Sequence, residues 1–285
     1  MSIVVTGATG HLGRLVVEHL LELGTPAQEI VATGRSVDRI ADLAARGVRT
    51  AVADFDDPAT LTAAFDGAET VLLVSGSEVG RRVPQHTAAI EAARAAGVRR
   101  VVYTSAPHAD TTPLALAAEH RATEEVLRAS GLTWTVLRNN WYHENYLPVL
   151  DQAAATGVVV SSTGAGRVAS APRDDYAAAA AVVLSTDGHD DRVYELSGDV
   201  AWTHDDLAAA AAEVLGTPVV HRAVPADEHR AILEQAGLDA GTIAFLVGLD
   251  EGIARGDLAD ATADLRTLVG RPTVPLVETL RAARA

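Results

Sequence analysis

The sequence predicts an α/β fold: a doubly wound parallel sheet, followed by a smaller, mostly helical C-terminal domain. Three observations lead there. Over residues 1–138, short apolar strands alternate with helical patterns of about 10–15 residues, the rhythm of βαβ units. Those strands are continuous apolar runs rather than alternating ones, as in sheets covered on both faces. After Arg138 the rhythm breaks and helical spacing dominates.

Residues 3–6 form a β-branched strand, and residues 12–23 carry helical spacing. A second strand at 29–33 precedes a helix near 38–46, and a third at 49–53 precedes a helix at 58–65 with Pro58 at its start. Thr70-Val71-Leu72-Leu73-Val74 is the fourth strand. A helix at 85–96 ends at Gly97, a strand covers 101–104, a helix at 116–129 ends at Gly131, and a sixth strand covers 133–137. Beyond it, strands are expected at 158–161, 193–196 and 219–224, and helices at 173–184 and 204–215. Thr203 is the expected cap of the last helix, with Asp205 and Asp206 in its first turn. Residues 225–259 read as mostly helical. The expected division is a nucleotide-type domain at 1–138, with segments near 158–196 returning to it, and a substrate-side domain at 139–285.

Composition narrows the chemistry. The chain has 285 residues, 38 acidic and 23 basic, for a net charge of −15. Every basic residue is arginine, and there is neither lysine nor cysteine. Schiff-base catalysis, a Walker-type phosphate loop, thiol nucleophiles and cysteine-ligated zinc are thereby excluded. The ten histidines show no HExxH motif, and no metal is expected. Apolar runs are too short to span a bilayer and the N-terminal residues lack a signal pattern, so a cytoplasmic protein without a membrane partner is expected. The acidic balance argues against nucleic acid. Residues 1–150 hold 13 arginines against 17 acids, and residues 151–285 hold 10 against 21, so positive charge concentrates where an anionic ligand would bind.

The strongest motif is Thr6-Gly7-Ala8-Thr9-Gly10-His11-Leu12-Gly13, between the first strand and the first helix. Gly7 permits the tight turn, Gly10 lets the backbone approach a pyrophosphate, and Gly13 allows the helix to pack close to the sheet. The phosphates then meet free N–H groups at the positive helix end. After the second strand the chain reads Ala32-Thr33-Gly34-Arg35-Ser36, without the acid that would hold a ribose 2′-hydroxyl. Arg35, supported by Ser36 and Arg39, suits a 2′-phosphate. NADPH is therefore expected, with NADH the weaker candidate. Asp54 and Phe55 either flank an adenine or belong to a helix start before Pro58. Ser75, Gly76 and Ser77 end the fourth strand at the edge where open α/β sheets bind ligands.

Several stretches carry a family resemblance. They are the glycine turn, Ser75-Gly76-Ser77-Glu78-Val79-Gly80-Arg81-Arg82-Val83-Pro84-Gln85-His86, Tyr103-Thr104-Ser105 with His108-Ala109-Asp110, and Arg138-Asn139-Asn140-Trp141-Tyr142-His143-Glu144-Asn145-Tyr146. The chain resembles the NmrA-like group of atypical short-chain dehydrogenases/reductases, specifically the branch of flavin-free quinone reductases and triphenylmethane dye reductases. The resemblance runs from Met1 to the Gly270-Arg271-Pro272-Thr273 segment. One departure is Asn140, where the family pattern has glycine. It is expected to narrow the site or to hydrogen-bond a substrate.

The resemblance implies a Rossmann domain, NADPH as hydride donor without flavin, and a cleft between two domains. It puts Gly7, Gly10, His11, Leu12, Gly13 and Arg35 on the cofactor, Asp54 and Phe55 near adenine, and Ser75 and Ser77 near ribose and nicotinamide. Thr6, Gly76 and Thr104 join the cofactor candidates. Asn139, Trp141, Tyr142 and Asn145 would line the substrate side, with Asn140 and Tyr146 alongside.

The usual Tyr/Lys pair of short-chain dehydrogenases is absent. The lysine site falls at His120 and the tyrosine site at Leu116. His120 either bonds the ribose or is a helix-face histidine. Reducing a ketone makes an alkoxide and calls for a positioned acid. Reducing a quinone makes a phenolate, whose conjugate acid lies near a pKa of about 10. A conjugated, electron-poor, planar acceptor is therefore expected, held against the nicotinamide by proximity and orientation. Trp141, Tyr142 and Tyr146 form the expected aromatic wall. His108, His120, Asn139 and Tyr142 are the catalytic candidates, with His143 as a further proton donor. A non-catalytic NAD(P)-sensing regulator, and a reductase of imines or a biosynthetic intermediate, are the competing expectations. A homo-oligomer is left open.

Overall fold

The computed structural model describes residues 2–284; Met1, where the family resemblance begins, lies outside them. The chain begins β1 (Ile3–Val5), α1 (His11–Glu22), β2 (Ile30–Gly34), α2 (Ala41–Ala45), β3 (Arg49–Val52), α3 (Pro58–Phe65) and β4 (Thr70–Leu73). It continues through α4 (Arg82–Ala95), β5 (Arg100–Ser105), α5 (Ala117–Ala129) and β6 (Thr133–Asn139). These strands and β9 (Arg192–Leu196) form one seven-stranded sheet in the order β3-β2-β1-β4-β5-β6-β9, with every pairing parallel. This is a Rossmann-like α/β fold.

The order in which successive strands are added to the sheet reverses between β1 and β4. Crevices at such switch points, outside the carboxyl ends of the strands, are where open α/β sheets take their ligands. The two faces of the sheet have separate cores. One is built on Val16 and Leu20 of α1 against Tyr176, Ala180 and Val183 of α7 (Arg173–Ser185). The other joins Phe65, Ile90 and Leu127 from α3, α4 and α5 to Val71 and Val101. The alanine run of α7 is therefore a close-packing surface, with Ala177, Ala179, Ala180 and Ala181 all buried.

Between β6 and α7 lie α6 (Leu147–Thr156), β7 (Val158–Ser161) and β8 (Arg167–Val168). After β9 come β10 (Trp202–Thr203), α8 (His204–Leu215), β11 (Val220–Ala223), α9 (Ala226–Gln235), α10 (Ala240–Arg255), α11 (Asp264–Val269) and α12 (Leu276–Ala282). α7 and β9 do return to the large sheet, but residues 158–161 do not. β7 pairs in parallel with β11, Val158 opposite Val220, and β8 pairs with β10. β7 alternates half-buried and buried residues, so it suits a ribbon covered on one face rather than the interior of the sheet. A third core, with Tyr146, Leu150, Trp202, Leu207 and Ile253, holds these later elements together. Thr203 caps α8 in a reciprocal box with Asp206.

Candidate functional site

The glycine turn is shaped as its spacing requires. Gly7 has φ +63°, a conformation that favours glycine, and the Gly10 N–H closes the turn on the Gly7 carbonyl at 2.9 Å. A Cβ on Gly13 would stand 2.5 Å from the Gly7 carbonyl oxygen, so only glycine lets α1 approach this closely. α1 starts without a side-chain cap and without an acid in its first turn, leaving its leading N–H groups to an anion. Leu12 is buried and His11 exposed. Gly34 carries a second constraint that spacing did not show, since a Cβ there would lie 2.5 Å from Thr9 Oγ1.

Arg35 follows β2 and is exposed; its Nη1 lies 3.3 Å from Glu78 Oε1. Glu78 also reaches Arg81 at 3.4 Å, and Arg81 reaches Asp56 at 2.8 Å. Ser36 and Arg39 are exposed nearby. The Asp54 carboxylate accepts from the Asp56 N–H at 3.1 Å, while Asp57 caps α3 through the Ala59 N–H. Phe55 sets its ring edge-on to His86. Thr6 and Thr104 are buried, and each hydroxyl oxygen accepts a backbone N–H from the turn after β4.

That turn opens on a cavity of about 300 Å³ at the carboxyl edge of the sheet. Ser75 and Ser77 form one wall. Asn139 and Tyr142 line it from the end of β6 and the turn after it, and Leu116 and His120 come from the start of α5. Trp141 and Phe245 form an apolar wall, their rings 6.4 Å apart and tilted by 35°. The fold thus brings together most of the expected substrate-side residues, including the pair standing where the Tyr/Lys pair would be. The cavity also recruits residues that were not singled out from sequence: Arg82, Ser105, Leu114, Phe245, Leu249 and Leu258. Ser105, at the carboxyl end of β5, could have been found by the strand-end rule. Phe245 had no local signal.

The polar groups of the cavity have defined states. His120 Nδ1 lies 2.7 Å from the buried Tyr103 hydroxyl, and burial with nearby Arg82 lowers its pKa to about 3. It is a neutral imidazole at ordinary pH. Burial raises the pKa of Tyr142, whose hydroxyl accepts from Asn139 Nδ2 at 3.4 Å and whose ring lies 4.9 Å under the Arg173 guanidinium. Asn145 accepts from Arg173 at 3.1 Å. The Asn139 Oδ1 is buried with no partner. A buried acceptor left unpaired is costly.

Four expectations need correcting. His108 is outside the cavity: its left-handed backbone, φ +46°, turns the ring toward Glu195 and Asp260. Tyr146 is buried in the third core against Trp202 and His204, because the short 3-10 turn at His143–Tyr146 rotates it away from Trp141. His143 is buried against Thr279 and does not line the cavity. Asn140 does line it, and only its expected hydrogen bond to a substrate is corrected: its amide donates to the Leu258 carbonyl and accepts from the Trp141 N–H, so its polar atoms are already engaged by backbone.

Behind the cavity, Arg138 pairs with Glu124 through two contacts and reaches Asp110 and Glu195 at 2.9 and 2.8 Å. Ser105 donates to the same Glu124 at 2.7 Å. This network ties β5, β6, β9 and α5 together under the site. Among the described residues there is no cluster suited to a metal ion, and no helix is long and apolar enough to cross a membrane.

A glycine turn at the switch point, an uncapped helix start and an apolar cavity beside them define a nicotinamide-dinucleotide-binding α/β protein. The chain belongs to the NAD(P)H-binding family, whose pattern matches residues 7–187. It is 46% identical over 278 residues to quinone oxidoreductase 2 of Escherichia coli, covering 98% of this chain and 97% of that protein. The crystal structure of an E. coli NADPH-dependent quinone oxidoreductase complexed with NADPH superposes with a TM-score of 0.95 at 45% identity, covering 99% of this chain and 100% of that one. Triphenylmethane reductase from Citrobacter sp. superposes with a TM-score of 0.94 at 36% identity, covering 99% of both chains. The branch that the sequence resembled is the branch found.

Proposed function

We propose that the protein is an NADPH-dependent reductase that passes hydride to a quinone or a similar conjugated, electron-poor acceptor. The observation that carries this reading is the cavity itself: an apolar, aromatic-walled space lined by Ser75, Ser77, Asn139 and Tyr142. The full-length likeness to quinone oxidoreductase 2 supports it.

The residues present fit NADPH. The free N–H groups at the start of α1 would hold the pyrophosphate, Arg35 the 2′-phosphate, and Asp54 and Phe55 the adenine side. Ser75, Ser77 and Asn139 would hold the nicotinamide half. Bound NADPH supplies the hydride. The chain supplies position and a dry surface: Trp141 and Phe245 stack a planar acceptor and exclude water. A reduced quinone oxygen has a conjugate acid near a pKa of about 10, so it needs a hydrogen bond rather than a strong acid. Tyr142, kept protonated by burial, can donate that bond from its hydroxyl. His120, neutral, contributes as a hydrogen-bonding group and not as an imidazolium acid.

The same reading divides the chain into a nucleotide unit, residues 1–138 with α7 and β9 added, and an acceptor-side unit made of the rest. It places the protein in the cytoplasm with small-molecule partners. The test is NADPH oxidation with a panel of benzoquinones, naphthoquinones, cationic dyes and cyclic imines. Turnover that prefers quinones supports the proposal. Tight NADPH binding without turnover of any acceptor overturns it in favour of a sensor.

A further inference from the structure

Three successive N–H groups follow β4, and each is accepted by a side chain from a different element. Val74 donates to Thr6 Oγ1 at 2.9 Å, Ser75 to Thr104 Oγ1 at 2.9 Å, and Gly76 to His86 Nε2 at 3.0 Å. The first two acceptors stand at the ends of neighbouring strands. The third is reached only because α4 turns a fully buried imidazole back toward the turn. The Gly76 carbonyl is held as well, by Arg82 Nε at 2.6 Å.

The imidazole is prepared for this one bond. His86 Nδ1 lies 3.0 Å from Thr123 Oγ1, and the Thr123 hydroxyl gives its only proton to the Glu119 carbonyl at 2.9 Å. The Thr123 oxygen must therefore accept from His86, which puts the imidazole proton on Nδ1 and the lone pair on Nε2. Burial, with Arg82 beside it, lowers the His86 pKa to about 4, so the lone pair is available at neutral pH. Phe55 and Tyr103 pack edge-on against the ring, at 6.0 and 5.4 Å between centroids, and fix its plane.

We propose that His86 is a positioning residue for the nicotinamide half of the cofactor, holding the Gly76 peptide so that Ser75 and Ser77 face the cavity correctly. It does not line the cavity and acts through Gly76. The inference rests on the reading of that cavity as the nicotinamide and acceptor site.

Two substitutions separate the two nitrogens. In His86→Gln the amide oxygen reaches the Nε2 position and still accepts from Gly76. In His86→Asn the shorter amide keeps the Nδ1 position beside Thr123 but falls short of Gly76. The measurements are KM for NADPH and kcat with a quinone, together with the affinity for adenosine 2′,5′-bisphosphate, which probes only the adenosine half. The expected result for His86→Asn is a rise of about tenfold in the NADPH KM and a fall in kcat, the scale of one lost buried hydrogen bond. The bisphosphate affinity should be unchanged, and His86→Gln should stay close to the parent in all three. If the two variants behave alike, or if bisphosphate affinity falls in step with NADPH, the inference is overturned and His86 only packs. A parent protein that binds the bisphosphate but neither binds nor oxidises NADPH would overturn the proposed function, and this inference with it. That outcome is read on the parent alone, so the two failures are distinct.

Discussion

The guanidinium of Arg138 meets the carboxylate of Glu124 through two hydrogen bonds, of 2.9 and 2.8 Å, where both side chains are buried. Removing Glu124 leaves Arg138 with Asp110 and Glu195 but takes away the acceptor of its Nε and Nη2 and of Ser105. Glu124→Ala is expected to lower stability by about 1–3 kcal/mol, the cost of the buried donors left without an acceptor. Urea denaturation measures the loss. A variant as stable as the parent would show that the pair carries little.

The contact between Arg35 and Glu78 bears on cofactor choice. Glu78 occupies one side of the guanidinium that would take the 2′-phosphate. Arg35→Ala should raise the KM for NADPH at least about tenfold, a charge-assisted contact being worth roughly 1.5–3 kcal/mol, and leave NADH little changed. Glu78→Gln should shift preference the other way, toward tighter NADPH. Equal effects of Arg35→Ala on the two cofactors would remove the 2′-phosphate assignment.

Gly13 tests the close approach of helix and turn. An added methyl group meets the Gly7 carbonyl at 2.5 Å, and backbone on both sides limits relief. Gly13→Ala should cost about 1–3 kcal/mol, as overpacking does, and should weaken NADPH binding because α1 shifts off the turn. Denaturation and a binding titration read the two effects separately. Wild-type values in both would argue against the close contact.

Buried histidines set the response to acid. His86, His143 and His204 have pKa values lowered to about 4, and His120 to about 3, each chiefly by burial. The unfolded chain binds a proton at each near pH 6.5. Between that pH and the folded values the unfolded state holds more protons, so stability rises with pH. Their contribution is complete above about pH 6.5 and falls progressively below it, by up to roughly 1.4 kcal/mol per pH unit for each histidine. Urea midpoints at pH 7.5, 6 and 5 should fall steeply. In His143→Gln the pH slope should be shallower. An unchanged slope would mean that this histidine is protonated in the fold.

Much of the nucleotide half was legible because β1, β2, β4 and β5 are buried on both faces and so stand out as apolar runs. The glycine turn was legible because backbone geometry dictates residue type at Gly7 and Gly13. α6 was overlooked although Pro148 at its start and the left-handed Gly157 at its end mark it. β8 and β10, at two residues each, are too short to show any period. In the site, Asn139, Trp141 and Tyr142 could be read from one local block. Tyr146 could not be separated from them, because only the turn between them decides which ring faces the cavity. His108 was misassigned for a similar reason, its direction being set by a single backbone angle. Leu258 reaches the cavity through the packing of the third core, and Phe245 through the placement of α10 beside Trp141.

The placement of Phe245 carries a consequence for how such proteins diverge. It sits on α10, outside the large sheet, and is 45% exposed while still closing one wall of the cavity. Exchanging that side chain costs the core almost nothing and reshapes the surface an acceptor meets. Lineages can thus drift from one acceptor to another through a peripheral helix, while the nucleotide machinery beneath is inherited intact.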